Sequence, residues 1–192
     1  MEKTNWRIPP NEIPNQKIIK EEIADIIIIG AGYAGTCATR AATEIQGSHV
    51  IVIETQSNEN QRIIGSGEVG HINSKWQQKH QVPIVDVDEF TNDWQLRTNN
   101  KSDYQLVRTF AEKCGEAFDW YIQPLENDLI RTIYPMMTPA SPNMPKSLNG
   151  IKSWPGTAKM PIATQNKALK INQQVAKVEK RVNLDRSGSN AY

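Results

Sequence analysis

The sequence predicts an α/β fold that opens on a βαβ unit, and three observations predict it. Residues 26–29 are four consecutive isoleucines, apolar on both faces as a strand inside a parallel sheet must be. Glycines follow at Gly30, Gly32 and Gly35, just where a helical stretch begins. A second apolar run, "HVIVIE" from His49, ends on the acid Glu54. Strand, helix and strand over roughly 30 residues make a βαβ unit, whose crossover is right-handed.

The 192 residues suffice for one domain, or for one domain and a piece of another. A net charge of +1 argues against a nucleic-acid binder and against a protein of charged membrane surfaces. The two cysteines, Cys37 and Cys114, form no C-x-x-C. They suggest neither a disulfide framework nor a zinc site, so a cytoplasmic location without a metal is expected. The longest apolar run, Ile26 to Ile29, is too short to span a bilayer. The first residues lack the apolar core of a secretory leader.

Residues 1–22 carry Pro9, Pro10 and Pro14 and read as an extended arm, with Trp6, Ile8 and Ile13 as anchors. A disordered leader is the alternative. Strand 26–29 leads into a helix from Gly32 to Gln46, which Gly47 ends. Residues 55–81 are polar and glycine-containing and read as a long loop. Asp86 and Glu89 mark the start of a helix in "VDVDEFTNDWQLR". A longer helix follows in "DYQLVRTFAEKCGEAFDWYI", with Leu106, Phe110, Cys114, Ala117 and Tyr121 on one stripe and Val107, Phe118 and Ile122 beside it. Seven prolines between residues 123 and 161 predict an irregular excursion. A last helix is expected over 164–182, with Ala168, Ile171, Val175, Val178 and Val182 on one face, before a polar tail.

The glycines have specific physical uses. Gly30 permits a tight turn, Gly32 lets a pyrophosphate approach the backbone, and Gly35 lets helix and strand pack closely. The helix N-terminus offers N–H groups and partial positive charge to phosphates. Glu54 ends the second strand at the spacing where a carboxylate accepts from the ribose hydroxyls of an adenosine, and it would repel a 2′-phosphate. These features point to a dinucleotide, and they leave FAD and NAD both open.

The stretch "ADIIIIGAGYAGTCATRAATEIQGSHVIVIE" resembles the N-terminal fingerprint of two-dinucleotide-fold flavoproteins, with Ala42, Ile51, Ile53 and Glu54 on the pattern and Thr39 as one departure. "GSGEVGHINSKWQQK" and the helices after it resemble the fumarate reductase and succinate dehydrogenase flavoprotein family, to which adenylylsulfate reductase alpha subunits are related. "WRIPP" and "KSWPGTAKMP" extend the resemblance over about residues 5–165. It implies FAD as cofactor, with Gly30, Gly32, Tyr33, Ala34 and Gly35 at the pyrophosphate and Glu54 at the ribose. It also puts Ser66, Gly67, Gly70 and Asn73 of a second loop near the cofactor. Ile64 stands where members with covalent flavin carry a histidine, which implies non-covalent FAD. His71 stands where the family often has a second glycine.

The implied fold is an incomplete Rossmann-like flavoprotein fold with the start of a capping domain. Its expected parts are the arm over 1–22, an FAD-binding region over 23–125, and the opening of the capping domain with a polar tail over 126–192. The family's dicarboxylate-binding arginines and histidines lie further downstream, and the sequence has no Gly-Asp pair for the flavin's ribityl segment. The expectation is the FAD-binding part of an oxidoreductase acting on an activated C=C bond. A small-molecule substrate and an electron-transfer partner belong to the full-length family, and the chain alone is not expected to be active. A truncated gene, an expressed piece or one part of a split flavoprotein would each account for this. An NAD-binding module and a non-functional remnant are the other readings. His49, His80, Cys37 and Cys114 are read as ordinary packing or surface residues, and Trp76, Trp94, Trp120 and Trp154 as core. Lys167, Lys170, Lys177, Lys180 and Arg181 read as a solvated face.

Overall fold

The computed structural model describes residues 12–18, 20–56, 67–139, 153–176, 178 and 180–183. Strand β1 (Ile26–Ile29) pairs in parallel with β2 (Val50–Glu54), Ile27 opposite Ile51 and Ile29 opposite Ile53. Between them runs α1 (Tyr33–Thr43), which packs on β1 through Gly35. The expected βαβ unit is therefore present. Its first strand has a buried and an open side. Ile26 and Ile28 join the Ala31, Ala42, Val50 and Val52 core, while Ile27 and Ile29 are 56% and 82% exposed.

The stretch 55–81 is more structured than its polarity predicts. It contains β3 (Glu68–Gly70) and the short helix α2 (Lys75–Lys79). Ser74 and Gln77 form a capping box at the start of α2, each satisfying the other's backbone N–H. Asp119 adds acceptors for the N–H groups of Lys75 and Trp76 at 2.7 and 3.0 Å.

Helix α3 (Val87–Arg97) begins at Asp86, whose side chain accepts from the Glu89 N–H as expected. Helix α4 (Tyr104–Ile122) starts at an Asp103 cap. Its buried face is Val107, Ala111, Cys114, Gly115, Phe118, Tyr121 and Ile122. This face is rotated from the predicted stripe: Leu106 is 70% exposed and Phe110 41%. The rotation has a cause at Gly115, where a Cβ would sit 2.3 Å from the Ile72 carbonyl oxygen. Only glycine lets α4 lie that close to the 72–74 backbone.

The proline-rich stretch also forms regular structure. After α5 (Asn127–Ile130), β4 (Tyr134–Pro139) and β5 (Ser153–Lys159) pair antiparallel, and β3 adds to the other side of β5. The sheet order is β3-β5-β4, with a bulge between Met136 and Thr138. The prolines of β4 sit on this edge strand, where a residue that cannot donate to a ladder is tolerated.

The last helix is shorter than predicted. Helix α6 (Ile162–Val175) stops at Ala176, and β6 (Lys180–Asn183) pairs in parallel with β2, giving the order β1-β2-β6. The chain thus returns to the first sheet within the stretch expected to continue the helix. The spacing of Val175, Val178 and Val182 fits a helix, but β2 offers an edge to the segment around Val182, and pairing overrides the local pattern. The buried face of α6 is Thr164, Gln165, Ala168, Leu169 and Asn172, most of it polar, while Val175 is 43% exposed. Both sheets take strands from either side of residue 126, so sheet pairing crosses the division expected there. In the arm, Ile13 is 68% exposed, while Trp6 and Ile8 lie outside the described residues.

The core joins these layers. Trp76, Phe118, Tyr121, Ile122, Leu125, Ile133, Ala158, Met160 and Ala168 form one cluster that ties α2, α4, β5 and α6 together. Ile72, Phe90, Val107, Ala111 and Cys114 form a second between α3 and α4.

Candidate dinucleotide site

The predicted residues fall into two groups. Gly30, Gly32, Tyr33, Ala34 and Gly35 link β1 to α1, and Glu54 closes β2 beside them. Gly67, Gly70 and Asn73 lie along the start of the second sheet and the turn after it. Ser66 and Ile64 lie outside the described residues.

In the first group, each glycine has a distinct physical basis. Gly30 has φ +91°, a left-handed conformation that side chains disfavour. A Cβ on Gly35 would lie 1.7 Å from the Gly30 carbonyl oxygen, so helix and loop can meet only there at a glycine. Gly32 differs from both. Its φ is an ordinary −68°, and a Cβ there would find nothing within 4 Å. Among the described residues, no packing demands this glycine. It caps α1 without a side-chain hydrogen bond, and the helix has no acid in its first turn. The site is therefore a helix N-terminus with open space at a glycine and no acid in the helix's own first turn, an arrangement that accepts an external anion.

Glu54 is 8% exposed and bonded on both oxygens. Oε2 accepts from the Ala31 N–H at 2.6 Å, and Oε1 accepts from the N–H groups of Thr55 and Gln56 at 2.7 and 2.8 Å and from the Thr55 hydroxyl. Burial alone would raise its pKa. The hydrogen bonds from Ala31, Gln56 and Thr55 outweigh that and hold it below the ordinary carboxylate value. The acid and the glycine loop are thus one hydrogen bond apart, and the acid stays ionised at neutral pH.

Several residues that sequence reasoning passed over complete the loop. The Ala31 carbonyl accepts from Thr36 Oγ1 and from Gln173 Nε2 of α6, both at 3.0 Å. Tyr33 donates its hydroxyl to Gln165 Oε1 at 2.8 Å, and Gln165 Nε2 donates to the Met160 carbonyl. No spacing rule links positions that far apart in the chain. The only local hint is a run of amide side chains on α6.

The second group serves the second sheet. Gly67 has φ +83°, and its carbonyl accepts from the Met160 N–H at 2.7 Å. Gly70 pairs with Thr157. Asn73, at φ +59°, bonds Val85 with both side-chain atoms at 2.8 Å and so pins the turn to the α3 approach. A cleft of about 610 Å³ connects the groups, since Tyr33 and Cys37 line one wall and Val69, Gly70 and His71 another, with α4 as the floor.

His71 in that cleft is 2% exposed and stacks on Phe118 at 3.7 Å. Its Nδ1 lies 3.2 Å from the Val69 carbonyl and its Nε2 3.1 Å from Ser74 Oγ. A carbonyl only accepts, so Nδ1 carries the proton and Nε2 accepts from the serine hydroxyl. Burial lowers its pKa to about 4, against the opposing pull of Val69 and of the Asp119 charge. It is a structural neutral histidine. Burial likewise raises Tyr33 to about 12 and raises the Cys37 and Cys114 thiols, so neither cysteine is an activated nucleophile.

Among the described residues, no helix is long and apolar enough to cross a membrane. No curated protein sequence matches the chain. Solved structures share the fold at low identity. A flavocytochrome c3 fumarate reductase matches with TM-score 0.56 and 18% identity, over 82% of this chain and 26% of its own. The 3-ketosteroid-delta4-(5alpha)-dehydrogenase from Rhodococcus jostii matches with TM-score 0.59 and 13% identity, over 91% and 42%. The E. coli quinol fumarate reductase matches with TM-score 0.55 and 14% identity, over 82% and 25%. The chain therefore spans about a quarter to two fifths of these structures. The model of the FAD binding domain family matches residues 25–145, most of the chain and all of the glycine loop and Glu54, and the chain belongs to that family.

Proposed function

We propose that this chain is the FAD-binding part of a flavin-dependent oxidoreductase of the fumarate or enoate reductase type. The observation that carries the reading is the Ala31–Glu54 hydrogen bond, which joins an ionised acid to the open helix N-terminus at Gly32. A dinucleotide needs those two features side by side, the acid for a ribose and the amides for a pyrophosphate. Gly30, Gly32, Tyr33, Ala34 and Gly35 would hold the pyrophosphate. Glu54 would take the adenosine ribose. Gly67, Gly70 and Asn73 would shape the far end of the site, with Ser66.

When bound, FAD supplies hydride transfer to an activated C=C bond, and the protein supplies binding and orientation. This chain's own residues bind and position. Glu54 accepts without giving up its charge, and Gly32 keeps side-chain atoms away from the phosphates. The FAD is non-covalent, because Ile64 cannot form the flavin bond that a histidine makes. The two sheets form a Rossmann-like part and the opening of a cap. Exposed Ile27 and Ile29 support a further segment over that face of the first sheet, because parallel strands are covered on both sides. The chain alone does not reduce substrate.

Titration of the purified chain with FAD, followed by flavin fluorescence, tests the reading. Saturable quenching that NAD does not reverse is expected, with all flavin released on acid denaturation. Absence of binding at high FAD would overturn it, and displacement by NAD would favour the nicotinamide alternative. Flavin retained on the denatured chain would overturn the non-covalent assignment. Fumarate-dependent oxidation of a reduced dye by the chain alone would show it to be complete.

A further inference from the structure

We infer that Gln173 is a positioning residue that aims the Gly32 N–H at a pyrophosphate by holding the Ala31 carbonyl. The inference rests on reading the glycine loop as a dinucleotide site, and it assigns that site a determinant on a helix 142 residues away. Two successive peptide units make up the loop's critical turn. The first, between Gly30 and Ala31, is fixed by Glu54, which accepts from the Ala31 N–H at 2.6 Å. The second, between Ala31 and Gly32, presents the Ala31 oxygen on one side and the Gly32 N–H on the opposite side. Rotating this peptide plane swings both groups together.

The Ala31 oxygen is held by two donors, Thr36 Oγ1 from α1 and Gln173 Nε2 from α6, each at 3.0 Å. Gln173 Nε2 also lies 3.2 Å from Thr36 Oγ1, so the three groups form a closed triangle. Thr36 is 1% exposed and Ala31 3%, so the triangle sits below the surface while Gly32 stays open above it. Thr36 moves with α1 and cannot fix the loop against any other part of the fold. Gln173 can. Its helix runs on into β6, which pairs with β2, the strand that carries Glu54. Both peptide units are therefore held from outside α1, by Glu54 at one and Gln173 at the other. Gln165 extends the brace on the same helix by accepting from the Tyr33 hydroxyl.

The two holds make separable predictions for ligand fragments. Adenosine engages the Glu54 side only. ADP and FAD also need the Gly32 amide. Gln173→Leu keeps the side-chain volume and removes the donor. It should weaken ADP and FAD binding by roughly 2- to 10-fold, the effect of one lost hydrogen bond, and leave adenosine affinity unchanged. The Gly32 amide resonance, read by NMR, should move at a nearly unchanged melting temperature. Gln173→Asn, one methylene too short to reach, should behave alike and serves if the leucine variant folds poorly.

Calorimetric titration of wild type and both variants with adenosine, ADP and FAD tests the inference, with the Gly32 amide resonance as the second reading. Equal weakening of all three ligands would show a general loss of structure and overturn it. So would variants that bind ADP and FAD as wild type does, with the Gly32 resonance unmoved. A wild-type chain that binds none of the three overturns the dinucleotide reading and this inference with it, an outcome distinct from the other two.

Discussion

Arg40 in α1 donates from Nη1 to Asn172 Oδ1 in α6 at 2.9 Å, although the two residues are 132 positions apart. The same guanidinium donates to the Trp120 carbonyl at 2.7 Å and to Gln123 Oε1 at 3.1 Å, and it lies 3.9 Å over the Trp120 ring. Asn172 is fully buried and uses its Nδ2 on the carbonyls of Tyr121 and Ala168. A buried charge is tolerated here because every direction of the guanidinium meets an acceptor or a ring face. Helices α1, α4 and α6 thus share one polar lock on the side of the first sheet that carries the glycine loop.

Asn172→Leu should therefore be expensive despite its good fit to a helix. It strips an acceptor from a buried cation and a donor from two carbonyls, at a cost of about 2–4 kcal/mol. Urea denaturation measures this. Combining it with Arg40→Met should cost clearly less than the sum of the single changes, because each alone orphans the other's group. Full additivity would show that the two residues do not act as one unit.

Two glycines three residues apart should respond in opposite ways. Gly35→Ala forces a methyl to 1.7 Å from the Gly30 oxygen. Helix and strand must separate, at a cost above about 3 kcal/mol, and the thermal midpoint should fall steeply. Gly32→Ala meets nothing among the described residues. Its stability should stay within about 0.5 kcal/mol of wild type, whereas FAD affinity should drop by about tenfold or more, since the methyl occupies the space of the pyrophosphate. Unchanged FAD binding in Gly32→Ala would remove the reason for reading this glycine as a ligand contact.

That contrast shows what was legible in the sequence. Gly30, Gly35 and Glu54 obey local rules of turn, close approach and strand end, and a short window contains all of them. The βαβ unit and the Asp86 helix start follow from similarly local signals. The Ser74–Gln77 capping box was equally local, yet a polar, glycine-containing context hid it. Gln173, Asn172 and β6 were not legible, because Gln173 meets Ala31, Asn172 meets Arg40 and Tyr121, and β6 meets β2, all far along the chain. In α6 the apolar pattern pointed to Val175, but burial goes to Gln165 and Asn172, whose cost is met by hydrogen bonds that no periodicity encodes. His71 looked like a loop histidine and is instead walled in by Phe118 and Ser74.

His71 gives the fold a pH dependence of definite sign. Its folded pKa is about 4, below the ordinary 6.5, because burial disfavours the charged ring. Protons therefore bind the unfolded chain more readily. Its contribution is fully present above about pH 6.5 and is lost as the pH falls toward 4. The shift corresponds to about 3 kcal/mol over that window. Urea stability at pH 7 should exceed that at pH 5, and His71→Phe, which keeps the stack on Phe118 without a titrating ring, should flatten the difference. A slope that persists unchanged in this variant would place its origin elsewhere.

Glu54 acts in a lower window. Its folded pKa is depressed, since its hydrogen bonds from Ala31, Gln56 and Thr55 outweigh the burial that would raise it. Its stabilisation is therefore complete above the unfolded carboxylate value near 4.5 and disappears as the pH falls through the lower folded value. Glu54→Gln replaces one acceptor oxygen by an NH₂ group. That group must face either the Ala31 N–H or the N–H pair of Thr55 and Gln56, all of which can only donate. At least one buried donor is orphaned, at a cost of about 1–3 kcal/mol at pH 7. Because the amide does not titrate, the gap between wild type and variant should close as the pH drops below 4.5 and the wild-type acid takes up its proton. The same substitution should weaken adenosine, ADP and FAD together, since each contains the ribose that Glu54 receives. A variant that loses stability but keeps its affinity for adenosine would leave Glu54 as a clamp on the glycine loop and remove it from the ribose.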